Sequence, residues 1–163
     1  MLPFCDQFCL GKRTGLLKDL INIYKYKSVR ACAATFAYLL REKYGLFLEG
    51  KIVVPLPTIS KHIRERGFDH MAFLAKRIAY VCGGKCEKVL KRVGNTVQVG
   101  ADEMLRKKQA LGAYNVTNRV NFDARYVLID DVWTTGSSMM AACSELQKAG
   151  VEKISVVLLA KSE

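Results

Sequence analysis

The sequence predicts an α/β fold, an open and mostly parallel twisted sheet with helices on both faces. Stretches with helical apolar spacing alternate with short stretches that are continuously apolar. Strands of a parallel sheet read as such apolar runs because both of their faces are buried. Half of the 163 residues are hydrophobic, so the chain can bury a core without disulfides. We expect one domain that spans residues 1–163.

Four stretches are predicted to be helices. The first begins near Thr14, and Ser28 is expected to cap a second helix that ends at Gly45. A third helix carries its inward-facing apolar residues between positions 71 and 78, and a fourth is expected over residues 138–149.

The predicted strands are short and apolar. The first covers residues 52–54 and stops before Pro55, because proline cannot donate to a sheet ladder. Between two of the later strands, residues 91–112 combine mixed polarity with weak helical spacing, and we expect a mobile excursion there. The other predicted strands are residues 86–92, 113–116, 126–129 and 154–159.

The net charge is +11, and Lys and Arg are spread along the whole chain. This balance suits a phosphate-rich partner, either nucleic acid or a polyphosphorylated metabolite, although a solvated basic surface is the simpler explanation. The loop TISKHIRERGFDH is basic, and its His62 and His70 are expected to be ordinary surface histidines. Since no apolar run has transmembrane length and the N-terminus lacks a secretory apolar core, we expect a cytoplasmic protein without a membrane span.

Two Cys-x3-Cys pairs raise the question of a zinc site. CDQFC supplies Cys5 and Cys9, and CGGKC supplies Cys82 and Cys86. Four thiolates would bind zinc if the fold brought the two pairs together. Isolated buried thiols are the commoner outcome in a reducing compartment, so zinc is not the expected cofactor.

The stretch RYVLIDDVWTTGSSMMAACSELQKAG places two acids and a polar turn at the end of an apolar strand. In an open parallel sheet, ligands bind beyond the carboxyl ends of the strands, where a helix N-terminus attracts anions. Gly136 lets the backbone approach a phosphate, and the hydroxyls around it add donors. Asp130 and Asp131 would repel a bare phosphate, but they suit ribose hydroxyls or a hydrated divalent cation. A ribose phosphate with Mg²⁺ meets both requirements, whereas the alternative is an acidic turn followed by a helix cap.

The stretch VLIDDVWTTGSS closely resembles the phosphoribosyl-pyrophosphate (PRPP) signature of type I phosphoribosyltransferases. Three more stretches narrow the resemblance to the ComF family, which includes competence protein F and GntX-like proteins. They are YKYKS, VVPLPTISKHIRERGFDH and LKRVGNTVQVG. The stretches occur in the family's order over nearly the whole chain.

The resemblance implies a role for each part of these motifs. Asp130 and Asp131 would face the ribose hydroxyls and Mg²⁺, and the loop containing Leu56 and Pro57 would meet the pyrophosphate. The 5′-phosphate would be wrapped by Thr134, Thr135, Gly136, Ser137 and Ser138, and residues 91–112 would be a flexible lid that carries Arg92, Thr96 and Gln98.

Three further side chains have expected roles near these motifs. Arg64 and Arg66 follow a proline-bounded loop at the carboxyl end of a strand, so we expect them to stabilise the leaving pyrophosphate. Trp133 would either stack on a base or cover the end of the sheet.

The resemblance implies Mg²⁺-dependent transfer or binding of a 5-phosphoribosyl group, with PRPP as substrate or ligand. Two other functions remain open at this stage. One is a non-catalytic protein that binds single-stranded DNA during uptake, and the other is a nucleotide-binding regulator without turnover. The sequence identifies neither the acceptor nor the oligomeric state.

Overall fold

A computed structural model describes residues 2–93, 112–117 and 119–162. Five strands form one parallel sheet in the order β1-β7-β6-β2-β3, and β4 and β5 form a separate antiparallel hairpin. The strands are β1 (Asp6–Lys12), β2 (Ile52–Pro55), β3 (Lys85–Cys86), β4 (Leu90–Arg92), β5 (Tyr114–Val116), β6 (Tyr126–Trp133) and β7 (Ile154–Lys161). The helices are α1 (Gly15–Tyr26), α2 (Cys32–Leu48), α3 (Ser60–Arg66), α4 (His70–Val81) and α5 (Ser137–Lys148).

The sheet separates two apolar clusters. Val127 and Ile129 of β6 belong to the cluster that includes residues of α1, α2 and α4. Tyr126 and Leu128 belong to the other cluster, with residues of α5 and β5. Since helices cover both faces of a parallel sheet, the predicted α/β class is confirmed.

Two elements were absent from the sequence prediction. β1 reads DQFCLGK, which mixes polar and apolar residues because this edge strand pairs only with β7 and is half exposed. The helix α3 lies in the stretch that was interpreted as a loop, and it buries none of its residues. A surface helix of seven residues has no apolar face that periodicity could detect.

The second predicted helix has different ends from those expected. Ser28 is not its cap, because α2 begins at Cys32; the Ser28 hydroxyl instead donates to the carbonyl of Arg66 at 2.9 Å. Gly45 does not end the helix, which continues to Leu48 after a kink at Tyr44.

Two predicted strands also differ from the structure. Residues 86–92 do not form one strand, since β3 belongs to the parallel sheet and β4 to the hairpin. In contrast, β6 extends beyond the predicted residues 126–129 and carries the acidic pair within its last four residues. Within the described ranges, none of the helices combines the length and apolarity needed to cross a bilayer.

The turn between α3 and α4 positions residues that become important at the site. Gly67 adopts a left-handed conformation (φ 72°) that ends α3, and Asp69 then caps α4 by accepting the backbone N–H of Ala72 at 3.1 Å. The Asp69 carboxylate also accepts the Thr58 hydroxyl at 3.3 Å.

Replacement of Asp69 by Ala should lower the free energy of unfolding by about 1 kcal/mol, because one N–H in the first turn of α4 loses its acceptor. Asp69→Asn, which caps comparably, should stay close to the wild type. Urea denaturation of both variants measures the difference. If Asn costs as much as Ala, the carboxylate charge beside Lys88 (3.5 Å), and not the cap, stabilises this turn.

Candidate functional site

Strand ends, helix starts and the β4–β5 hairpin surround a cleft of about 580 Å³ at the carboxyl edge of the sheet. A smaller cavity of about 60 Å³ adjoins it and is lined by the loop between β6 and α5. Asp130 and Ser138 line both. The cleft is also lined by Lys25, Leu56, Pro57, Arg66, His70, Arg92, Tyr114 and Asp131.

The two adjacent acids point to opposite faces of the sheet, because side chains alternate along a strand. Asp131 lies on the α1 and α4 side, where one of its oxygens (Oδ2) contacts Lys25 Nζ at 2.7 Å and His70 Nε2 at 2.8 Å. Its side chain is only 9% exposed. Burial alone would raise the pKa of Asp131, but the hydrogen bond from His70 and the Lys25 ammonium outweigh burial and lower the pKa. Asp131 is therefore an ionised group that is already partnered.

Asp130 is on the α5 side and has a different environment. It accepts the backbone N–H of Asp131 at 2.8 Å. Burial, together with the neighbouring charge of Asp131, raises the pKa of Asp130 to about 7. Of the two acids, Asp130 is the one that a cation or a hydroxyl donor entering the cleft would stabilise.

His70, the first residue of α4, is 3% exposed, so the expectation of a surface histidine is wrong here. One ring nitrogen contacts Asp131, and the other, Nδ1, lies 2.9 Å from the guanidinium of Arg66. Arg66 lies four residues earlier, at the end of α3, and lines the cleft. Arg64 is exposed on the same helix and is not among the lining residues.

The loop after β6 has the features of an anion site. Gly136 is left-handed (φ 73°) and precedes α5, whose first turn offers free backbone N–H groups. The side chains of Thr134, Thr135 and Ser138 are exposed beside it, and the Thr135 hydroxyl lies 2.9 Å from that of Ser137. All five residues of the predicted phosphate loop line the smaller cavity.

Trp133 packs against this loop and lines the smaller cavity. A Cβ atom on Gly136 would lie 2.1 Å from the Trp133 ring, so the ring is in direct contact with the loop backbone. The same ring makes an edge contact with Phe4, with centroids 6.3 Å apart. Base stacking by Trp133 stays a prediction, and the structure gives the ring a packing role.

The β4–β5 hairpin closes the side of the cleft opposite Lys25. Arg92 donates to the hydroxyl of Tyr114 at 2.8 Å, and both side chains line the cleft together with Ser138. The rest of the predicted lid, with Thr96 and Gln98, lies outside the described residues. Sequence reasoning missed Tyr114, because its apolar neighbours in a short strand indicate only burial.

The four cysteines proposed as zinc ligands do not come together. Cys9 lies in β1 and Cys5 precedes it, whereas Cys86 lies in β3 and Cys82 follows α4. β1 and β3 are the two edges of the five-stranded sheet, which places them roughly 19 Å apart at the usual strand spacing. Across the described parts of the chain, no group of three or more His, Cys, Asp or Glu side chains could hold a metal ion.

Comparison with known proteins gives a match of structure only. No family model matches the sequence, and no curated protein matches it. A solved structure of the allosteric regulatory enzyme of purine biosynthesis is similar over 85% of this chain and 30% of that chain, with 17% identity and a TM-score of 0.59. This chain thus spans less than a third of that enzyme's length.

Two phosphoribosyltransferases are also similar in structure. A purine phosphoribosyltransferase from Pyrococcus horikoshii Ot3 matches over 79% of this chain and 73% of its own, with 18% identity and a TM-score of 0.49. A hypoxanthine phosphoribosyltransferase from Staphylococcus aureus matches over 79% and 62%, with 14% identity and a TM-score of 0.46. These likenesses concern the fold alone, and the predicted α/β class, an open and mostly parallel sheet with helices on both faces, is confirmed.

Gly136→Ala should destabilise the protein more than Gly67→Ala. The two glycines have nearly the same φ, 73° and 72°, so each substitution carries the strain of a left-handed alanine, about 1–2 kcal/mol. Only Gly136 has the Trp133 ring in the way, and a forced repacking adds about 1–3 kcal/mol. Equal losses in denaturant titrations would contradict the contact between Trp133 and the loop.

Asp130→Asn should stabilise the protein increasingly between pH 4 and pH 7. When the pKa of a carboxyl is raised in the folded state, the free energy of unfolding falls as pH rises. The fall begins near the unfolded pKa of about 4 and continues through the folded value of about 7. Asn stays neutral, so the gain over the wild type should reach on the order of 2 kcal/mol at pH 8, after allowance for solvent screening. Urea titrations at several pH values test this expectation, and parallel stability curves would contradict the raised pKa.

Proposed function

We propose that this chain binds a 5-phosphoribosyl diphosphate with Mg²⁺ and acts as a phosphoribosyltransferase of the ComF type. The observation that carries the proposal is that a small cavity at the predicted phosphate loop and the larger cleft share two lining residues, Asp130 and Ser138. A ribose phosphate needs this combination, an anion site at one end and a carboxylate beside the sugar.

The charges around the cleft suit the diphosphate end of such a ligand. Lys25 and Arg66 lie on one side and Arg92 on the other. Leu56 and Pro57 follow the carboxyl end of β2 and also line the cleft, which supports their predicted place beside the diphosphate. Arg64 is exposed, and we do not include it in the proposed site.

The acidic residues present fit a magnesium ion that arrives with the ligand. Mg²⁺ in phosphate-handling sites is held by one or two carboxylates together with phosphate oxygens and water. Asp130 would be that carboxylate, since Asp131 is engaged with Lys25 and His70. The ion would supply charge neutralisation to the diphosphate.

The proposed reaction is a displacement at C1 of the ribose. A nucleophilic acceptor forms a bond to C1, and the C1–O bond to the diphosphate breaks with its electron pair leaving on that oxygen. Lys25, Arg66 and Arg92 would stabilise the departing negative charge, and the phosphate loop would hold the sugar in place.

A nucleic-acid partner is supported only by the net charge of +11. The acidic pair that lines the cleft would repel a polyanion that brings no cation of its own. We therefore rank binding of single-stranded DNA behind the ribose phosphate, as an outcome that the following experiment can expose.

Calorimetric titration of PRPP with and without Mg²⁺ tests the proposal. The wild type should bind only with Mg²⁺, and Asp130→Asn should weaken binding at least about tenfold, since a charge-assisted contact is lost. Asp19→Asn, which removes an exposed acid on α1, is the matched control and should bind normally. Absence of binding at millimolar PRPP, together with salt-dependent DNA binding that survives Asp130→Asn, would favour the nucleic-acid alternative.

A further inference from the structure

Four side chains from four elements form a continuous polar chain along one wall of the cleft. Lys25 Nζ of α1 lies 2.7 Å from Asp131 Oδ2 of β6, and the same oxygen lies 2.8 Å from His70 Nε2 of α4. His70 Nδ1 lies 2.9 Å from Arg66 at the end of α3. The chain thus joins the two cations on this side of the cleft through one carboxylate and one imidazole.

The partners of His70 determine where its proton lies. A guanidinium can only donate, and Arg66 lies 2.9 Å from Nδ1 and 3.4 Å from Nε2, so Nδ1 is the nearer acceptor for its N–H group. An ionised carboxylate can only accept, so Nε2 must carry the hydrogen that faces Asp131. In this order of hydrogen bonds, His70 donates through Nε2 to Asp131 and accepts at Nδ1 from Arg66.

This arrangement fixes two cations that could otherwise point elsewhere. The Lys25 side chain is 15% exposed and is held by an oxygen that His70 orients. Arg66 also packs on the exposed ring of Tyr26, 5.7 Å from the ring centroid, and the imidazole of His70 is its buried partner. Without the imidazole, Asp131 would lose a donor and Arg66 an acceptor.

We propose that His70 is a positioning residue that holds Lys25, through Asp131, and Arg66 toward the diphosphate group of the ligand. The proposal rests on the function proposed above. His70 does not touch the reacting atoms. Its role depends on a donor that faces Asp131 and an acceptor that faces Arg66. Another side chain with a donor and an acceptor at these two places should therefore replace it.

Glutamine and leucine separate this role from packing. A glutamine amide can donate through its nitrogen to Asp131 and accept through its oxygen from Arg66, whereas leucine fills similar space without either bond. Calorimetry with Mg²⁺ and PRPP should find His70→Gln within about threefold of the wild type and His70→Leu weaker by about tenfold or more. If His70→Leu fails to fold, His70→Asn takes its place in the test. Asparagine carries the amide groups on a shorter side chain, and we expect it to bind PRPP as weakly as is expected of His70→Leu.

A second measurement needs no ligand. In the unliganded wild type at neutral pH, ¹⁵N spectra of the histidine side chains should show His70 with its proton on Nε2 and a bare Nδ1. A proton on Nδ1 would overturn the proposal, as would equal PRPP affinity in His70→Leu and the wild type, or equal losses in His70→Gln and His70→Leu. If the wild type does not bind PRPP, the proposed function fails, while the ¹⁵N spectrum still decides whether the polar chain exists.

Discussion

The alternation of side chains along β6 is the constraint on which the site depends. Tyr126 and Leu128 are buried against α5, and Val127 and Ile129 against the helices of the other face. A slip of one residue would move both apolar pairs to the wrong face, so the register of this strand is fixed by burial. The same register forces Asp130 and Asp131 apart, although they are neighbours in the chain. The two carboxylates therefore contact residues on opposite faces of the sheet.

The two acids meet this demand in different ways. Asp131 receives a lysine from α1 and a histidine from α4, which offset the cost of its burial. Asp130 receives only a backbone N–H in the described contacts, and its ionised form is disfavoured. Asp130, which lines the cavity of the predicted phosphate loop, is thus the acid whose negative charge lacks a compensating partner among the side chains that the structure describes. Such a group is stabilised when a ligand brings a cation or hydroxyl donors, which is how a binding site stores free energy for its ligand.

The sequence predicted the parts of this architecture that local patterns encode. The apolar runs of β2, β6 and β7 and the helical spacing of α4 and α5 depend on burial of a repeated face, which periodicity detects. The edge strand β1 and the surface helix α3 were not predicted, because neither buries a regular face. The phosphate loop was recognisable because its five residues are consecutive.

The polar chain was not predictable in the same way, because its members are 106 positions apart at the extremes, Lys25 and Asp131. In the sequence, Lys25 is one of two lysines in YKYKS, and His70 is the last residue of a basic stretch. Nothing local distinguishes either from a solvated side chain. Only the register of β6 and the turn at Gly67, which joins Arg66 at the end of α3 to the start of α4 at His70, bring the four groups together.

The chain has a net charge of +11, yet two carboxylates line its cleft. A purely basic cleft would hold any polyanion, and neither Lys25 nor Arg66 would have a fixed direction. Asp131 converts one of those charges into an oriented group, and His70 transmits the orientation to the other. Asp130 then penalises an anion that arrives without a cation or hydroxyl groups. Under the proposed function, the division of roles between two adjacent acids on opposite faces of one strand would favour a ribose diphosphate with its metal over nucleic acid or free phosphate.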